Sequence, residues 1–143
     1  MNEDILKLIE KKFGHQVDVE EKSPKRAYVM VQRSVLLDVA KFLHHEHGAR
    51  LCTASAVDTR WGVEILYHFA LDPMSKIITI KVLAEKPSLQ AESVGSILPA
   101  ANWIEREINE MFGVEFVGHP DMRRLLLPDG WPEGEYPYRR NSL

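Results

Sequence analysis

Between residues 62 and 83 the chain carries a pattern with few structural solutions. Val63, Ile65, Tyr67, Phe69 and Leu71 alternate strictly with their neighbours, Asp72-Pro73-Met74-Ser75 supplies turn formers, and residues 77–83 run apolar again. Alternation at period two puts every second side chain on one face of a pleated strand. The two segments therefore predict a β-hairpin with one face buried. A buried sheet face has to be covered by another layer, and the flanking sequence offers helices for it.

The first helix is signalled by Ile5, Leu6, Leu8, Ile9 and Phe13 at helical spacing, with Gly14 as the stop. Two extended segments follow at 17–21 and 26–32, split by a turn at Ser23-Pro24; in the second, Ala27, Val29 and Val31 alternate with Arg26, Tyr28, Met30 and Gln32. Ser34 is placed to cap a second helix, with Leu36 or Leu37, Ala40 and Leu43 on its inner face and Gly48 at its end. Residues 51–57 read as a strand that leads into the hairpin. A looser stretch over 85–99 then precedes a third helix over 101–112, closed by Gly113. The order α-β-β-α-β-β-β-α predicts an α+β fold, a mostly antiparallel or mixed sheet with helices packed on it.

After Gly113 the character changes. Residues 114–143 hold no sustained period and are punctuated by Pro120, Pro128, Pro132 and Pro137, with Gly118, Gly130 and Gly134 between them. Disordered tails are poor in large apolar residues, yet this one carries Leu125-Leu126-Leu127, Trp131, Tyr136 and Tyr138. Aromatic residues mixed with arginines are the types enriched at interface hot spots. The expected organisation is thus an α+β domain over 1–113 and an extended partner-binding arm over 114–143.

Composition narrows the function. The 143 residues are 45% hydrophobic and 27% charged, the balance of an ordinary globular domain. A net charge of -3 with both signs interspersed lacks the basic stripe that grips nucleic acid. One cysteine, Cys52, makes no internal disulfide and cannot alone hold an iron–sulfur cluster or a thiolate zinc site; it fits a reducing compartment. No apolar run approaches the roughly 20 residues that span a bilayer, and the start, Met1-Asn2-Glu3-Asp4, is acidic where a signal peptide is basic. Any membrane association is expected through a partner.

The third helix carries the sharpest local signal. With 100° between residues, Ile104, Ile108, Met111 and Phe112 form one apolar arc; Glu105 flanks it, and Arg106 and Glu110 fall opposite as an exposed pair. Glu107 falls within the arc, between Trp103 and Met111. A carboxylate there is either buried and paired, with Arg123 and Arg124 as partners that pin the arm (Glu105 assisting), or it sits at the arc's edge and reaches water. Both readings stay open on the sequence.

Other signals read more plainly. His44-His45-Glu46-His47 invites a metal, but imidazoles at a helix end suit its dipole, and no further ligand joins them at coordinating spacing. His119 and Asp121 could suggest acid–base work. With no nucleophile in register they read better as hydrogen-bonding anchors. Asp58-Arg60-Trp61-Gly62 needs no role beyond a turn between strands, and Glu64 and His68 lie on the hairpin's polar side.

The stretch from Glu105-Arg106-Glu107 through Glu110-Met111-Phe112-Gly113 to His119-Pro120-Asp121-Met122-Arg123-Arg124-Leu125-Leu126-Leu127-Pro128 closely resembles the signature of the 30-kDa subunit family of respiratory complex I, the NADH-quinone oxidoreductase. That family also includes the corresponding subunits or fused N-terminal domains of membrane-bound nickel–iron hydrogenases. The resemblance covers about the last third of the chain. It implies a subunit without cofactor or metal that packs against a large catalytic subunit and an iron–sulfur small subunit, peripheral on the cytoplasmic face of the membrane. Glu105, Arg106, Glu107, Glu110, His119, Asp121, Arg123 and Arg124 are the matching positions, and the resemblance gives them structural and interfacial roles, none catalytic. Trp131 and Tyr136 lie in a Trp-Pro-Glu-Gly-x-Tyr-Pro segment that looks more like the hydrogenase branch, formate hydrogenlyase types included. Respiratory versions often carry a Gly-His-Pro-Leu-Arg type segment there and continue further. Against the assembly subunit stand a stand-alone enzyme built on His119 and Asp121, and a free interaction module.

Overall fold

A computed structural model describes residues 4–120 of the chain. Helix α1 (Ile5–Phe13) is capped by the Asp4 carboxylate, which accepts the Leu6 N–H at 3.0 Å, and it buries Ile5, Leu6, Ile9 and Phe13. Strands β1 (Val17–Ser23) and β2 (Arg26–Val31) form an antiparallel hairpin. Helix α2 (Leu36–Lys41) is shorter than the expected helix. A tight turn over Arg33–Val35 leads into it without a side-chain cap, so Ser34 does not serve as one, and past Lys41 the backbone widens into a π-turn over Phe42–Glu46.

Strands β3 (Arg50–Asp58), β4 (Gly62–Leu71) and β5 (Lys76–Glu85) complete a five-stranded sheet of order β1-β2-β5-β4-β3. The β4–β5 hairpin has the expected alternation and turn, with Ser75 in the left-handed conformation at φ 50°. Strand β2 pairs parallel with β5, and every other pairing in the sheet is antiparallel. The fold is α+β with a mixed sheet.

The register explains the single core. Val29, Ile80, Tyr67 and Ala54 stand opposite one another across four strands, as do Ala27, Ile78, Phe69 and, in β3, Leu51. This face packs on Ile5, Ile9, Leu36, Val39, Leu43, Ile104 and Ile108 from the helices. At about 25 cal/mol per Å² of apolar surface, each large buried side chain contributes roughly 1.5–3 kcal/mol. The opposite face (Arg26, Tyr28, Glu64, Leu66, His68, Lys81) is left exposed or half-buried, which places Glu64 and His68 as their alternation predicts.

Two short strands escape the sequence pattern. Strands β6 (Gln90–Glu92) and β7 (Glu115–Val117) pair in parallel beside the main sheet. Between them helix α3 (Asn102–Phe112) ends on Gly113, whose φ of 80° and N–H bond to the Asn109 carbonyl (2.9 Å) form a left-handed cap. The chain after Gly113 therefore returns to the domain through β7, with Ala91 and Phe116 buried. Most of the segment expected as an arm lies outside the described residues.

Candidate functional site

Helix α3 is where the sequence concentrated its signals, and the structure redistributes them. The carboxylate taken into the core is Glu105, which is 0% exposed. Its neighbours come from three places in the chain. Tyr67, in the middle of β4, donates its hydroxyl to Glu105 Oε2 at 2.5 Å. Ser93, just past β6, donates its hydroxyl to Oε1 at 2.6 Å. The backbone N–H groups of Val94 and Gly95 donate to Oε2 at 2.8 Å and Oε1 at 3.0 Å.

These two amides open the short turn Val94–Ser96, so the carboxylate sits where a helical turn presents its unpaired donors. Both oxygens accept two bonds. Burial raises the Glu105 carboxyl above the usual range, and the four donors pull it partly back. The same burial, with the neighbouring carboxylate, pushes the Tyr67 phenol well above its ordinary value. Gly95 is required by contact: a Cβ there would lie 2.8 Å from Glu105 Oε1 and 3.1 Å from the Asn102 Cα.

The bonds of this cluster make it a structural lock. It fastens β4, the β6 turn and α3 to one another. Sequence reasoning had Glu105 only at the edge of the apolar arc and left Tyr67 as plain core. The signal that could have found the pair is a hydroxyl on an otherwise apolar strand face, which requires a partner when buried.

Glu107, the residue expected to be the anomaly, is half-buried on the rim of a groove where α3 overhangs strand β3. Ala54, Ser55, Ala56, Ile108, Met111 and Phe112 line the remainder, about 250 Å³ in all. That is below the roughly 300–1,000 Å³ of small-molecule pockets. Strand β3 is also the end strand of the sheet, with its outer edge unpaired among the described residues. Arg106 and Glu110, expected to be exposed, are not: Arg106 is half-buried and Glu110 only 5% exposed. Helical angle alone ignores what covers the outward side.

His119 donates its Nε2–H to the Asn102 carbonyl at 2.8 Å, and its backbone N–H bonds to the Phe116 carbonyl at 3.2 Å. The chain beyond β7 is thereby tied to the start of α3. Asp121, Arg123, Arg124, Trp131 and Tyr136 lie outside the described residues. Two further histidines are engaged locally: His44 Nδ1 donates to the Ala49 carbonyl at 2.8 Å, and His68 bridges Thr79 Oγ1 at 2.9 Å and Ser55 Oγ at 3.2 Å. Burial lowers the His68 imidazole below its ordinary value, with Arg26 adding to the effect. Among the described residues no three His, Cys, Asp or Glu side chains converge as a metal site, and no helix is long and apolar enough to cross a membrane.

Exposed apolar bulk is concentrated in two tryptophans, Trp61 in the β3–β4 turn (68% exposed, Arg60 5.1 Å over its ring) and Trp103 on α3 (53% exposed).

The family model of the respiratory-chain NADH dehydrogenase 30-kDa subunit matches residues 29–142. The chain belongs to this family. Two relatives in Escherichia coli K12 are hydrogenase-4 component G, 34% identical over 99% of this chain, and formate hydrogenlyase subunit 5, 35% identical over 80% of it. The chain spans only 26% and 21% of their lengths. An NADH-quinone oxidoreductase subunit of Chloroherpeton thalassium is 34% identical over 94% of this chain and 58% of its own length.

Among solved structures, a chain of the archaeal membrane-bound sulfane sulfur reductase matches with a TM-score of 0.82 at 23% identity, covering 94% of this chain and 81% of that one. A trypsin-resistant fragment of Nqo5 matches with a TM-score of 0.69 at 17% identity, covering 80% and 96%. At those identities the two structures establish the shared α+β fold. The family and its named relatives agree with the signature read across α3 and the residues after it.

Proposed function

We propose that this chain is a non-catalytic structural subunit of a membrane-associated redox complex, peripheral on the cytoplasmic face and held there by its partners. The observation that carries the reading is the family match together with relatives named as components of hydrogenase-4, formate hydrogenlyase and NADH-quinone oxidoreductase. The buried carboxylate of α3 fits it as well, since its bonds fasten elements together and leave no lone pair aimed at open space. Partners of the expected kind are a large catalytic subunit and an iron–sulfur small subunit. Trp131, Tyr136 and the arginines of the arm are the residues that would meet them, with Trp61, Trp103 and the groove beside β3 as further docking surface.

A membrane-bound nickel–iron hydrogenase is the favoured parent, on the Trp-Pro-Glu-Gly-x-Tyr-Pro segment and the two hydrogenase-type relatives. An NADH-quinone oxidoreductase is the second reading, favoured by the relative of which this chain covers the larger share. The test is affinity purification of the tagged chain from gently solubilised membranes of its host. Hydrogenase large and small subunits in the eluate are the expected result. Quinone-reductase subunits would keep the role and change the parent; a lone protein would sink the assembly reading.

A further inference from the structure

The two ends of the main sheet are finished differently. Strand β1, at one end, carries Asp18, Glu20, Glu21 and Lys22, and Lys22 pairs with Glu20 at 2.7 Å. Charged side chains of this kind keep an exposed strand edge from recruiting another strand. Strand β3, at the other end, holds neither a charge nor a proline from Leu51 to Val57. Its one irregularity, a register shift between Leu51 and Thr53, lies near its start, and from Thr53 to Asp58 the pairing with β4 is unbroken. Thr53 and Ser55 are exposed there, and Val57 is 48% exposed. Among the described residues no strand pairs with its outer edge.

The space beside that edge suits side chains from a further strand. Neighbouring strands lie about 4.8 Å apart and keep the alternation of faces. Every second side chain of an added strand would thus stand in line with Ala54 and Ala56. Both alanines are half-buried on the core face, and their small side chains leave the groove of about 250 Å³ whose far wall is Ile108, Met111 and Phe112. Glu107 stands half-buried on the rim, and no cation among the described residues pairs with it. At four-residue spacing Trp103, Glu107 and Met111 form one ridge of α3, so the wall continues past the groove as a ring that is 53% exposed. A partly desolvated carboxylate beside an apolar slot selects a base set among apolar residues.

We propose that β3 is extended in the assembled complex by one strand from a neighbouring subunit, a segment with apolar residues at alternate positions and a Lys or Arg placed to meet Glu107. The backbone of the incoming segment bonds to the outer edge of β3 over residues 53–57, and its apolar side chains enter the groove below α3. This rests on the assembly role proposed above and names the form that one of its contacts takes.

The test is hydrogen exchange, read by mass spectrometry, on the full chain alone and in the complex purified from its host's membranes. In the complex, the outward amides of residues 53–57 are expected to exchange about 100-fold more slowly than in the isolated chain. Glu107→Lys and Ala56→Lys should each lower recovery of partner subunits about tenfold, the first by repelling the base and the second by filling the groove. If the charge reversal does not fold, Glu107→Gln, which keeps the shape, decides in its place. A complex in which these amides exchange as fast as in the isolated chain overturns the added strand and leaves the assembly role standing. So does a folded Glu107 variant that recovers partners as well as the parent. Slow exchange already in the isolated monomer would mean that the chain covers this edge itself, and slow exchange only in a homodimer would assign the edge to a second copy; either result overturns the proposal. Failure of the parent chain to recover any partner subunit would sink the assembly role and the added strand together.

Discussion

Replacing Glu105 by Gln tests the lock with the least change in shape. The carboxylate offers two acceptor oxygens to four donors, two on each. Glutamine offers one acceptor and an NH2 group. Turned one way, the NH2 faces Ser93 and the Gly95 N–H; turned the other, Tyr67 and the Val94 N–H. A hydroxyl can rotate and accept, but a backbone N–H cannot. One buried amide is therefore left unsatisfied in either orientation, at about 1–3 kcal/mol. The surviving bonds also fall from charge-assisted to neutral strength, about 1 kcal/mol each. Against this, the variant no longer buries a charge, and the upward displacement of the carboxyl marks that as a real cost. The net expectation at pH 7 is a loss of about 2–3 kcal/mol, read from urea unfolding followed by circular dichroism.

The pH dependence gives a second reading of the same variant. A carboxyl whose folded pKa is raised binds its proton more tightly in the folded state. Its contribution is then fully present below the unfolded value, near 4.5, and is lost as pH rises through the folded value. Glutamine does not titrate. The stability gap between parent and Glu105→Gln should accordingly be larger at pH 4.5 than at pH 8. A gap that widens with rising pH would mean that the four donors outweigh burial, and a gap under about 0.5 kcal/mol at every pH would remove the carboxylate from the fold's support altogether.

Two further outcomes are expected. Gly95→Ala should cost about 2 kcal/mol in the same assay, because its Cβ would press on Glu105 Oε1 at 2.8 Å and on the Asn102 backbone at 3.1 Å. Trp61→Ala and Trp103→Ala should change stability by no more than about 0.5 kcal/mol, since both rings are largely exposed; in affinity purification from solubilised membranes the pair together should reduce recovery of partner subunits several-fold.

What the sequence makes legible follows from the range of the interactions involved. Helix α1 and the β4–β5 hairpin are set by local periodicity and by turn residues within a few positions, so both are visible in the pattern. The parallel pairing of β2 with β5 is not, because it joins segments some 50 residues apart (Tyr28 opposite Thr79, for example) and depends on how the two hairpins are placed. The three-residue strands β6 and β7 are too short for any period to emerge, and their pairing is decided by what α3 brings between them. The expected helix from Ser34 to Gly48 is cut down by a tight turn before it and a π-turn after it. Apolar spacing records neither.

The same distinction governs the carboxylates of α3. A helical wheel ranks Glu107 as the anomaly because it weighs each side chain only against the helix's own apolar arc. Burial is decided by what stands opposite: Tyr67, 38 residues away in sequence, and the Val94–Gly95 turn draw Glu105 inward. Glu107 meets only a shallow groove and stays on its rim. Glu110 is covered on a side that the wheel assigns to solvent. Glu105 thus fixes α3 to the sheet from within, and Glu110 places a second buried carboxylate on the opposite side of the same helix, about one and a half turns further along. A helix held at one face by four donors is a rigid platform for whatever its other face carries. That arrangement accounts physically for the acid at Glu105, where a helix serving only as cover for a sheet would need an apolar residue.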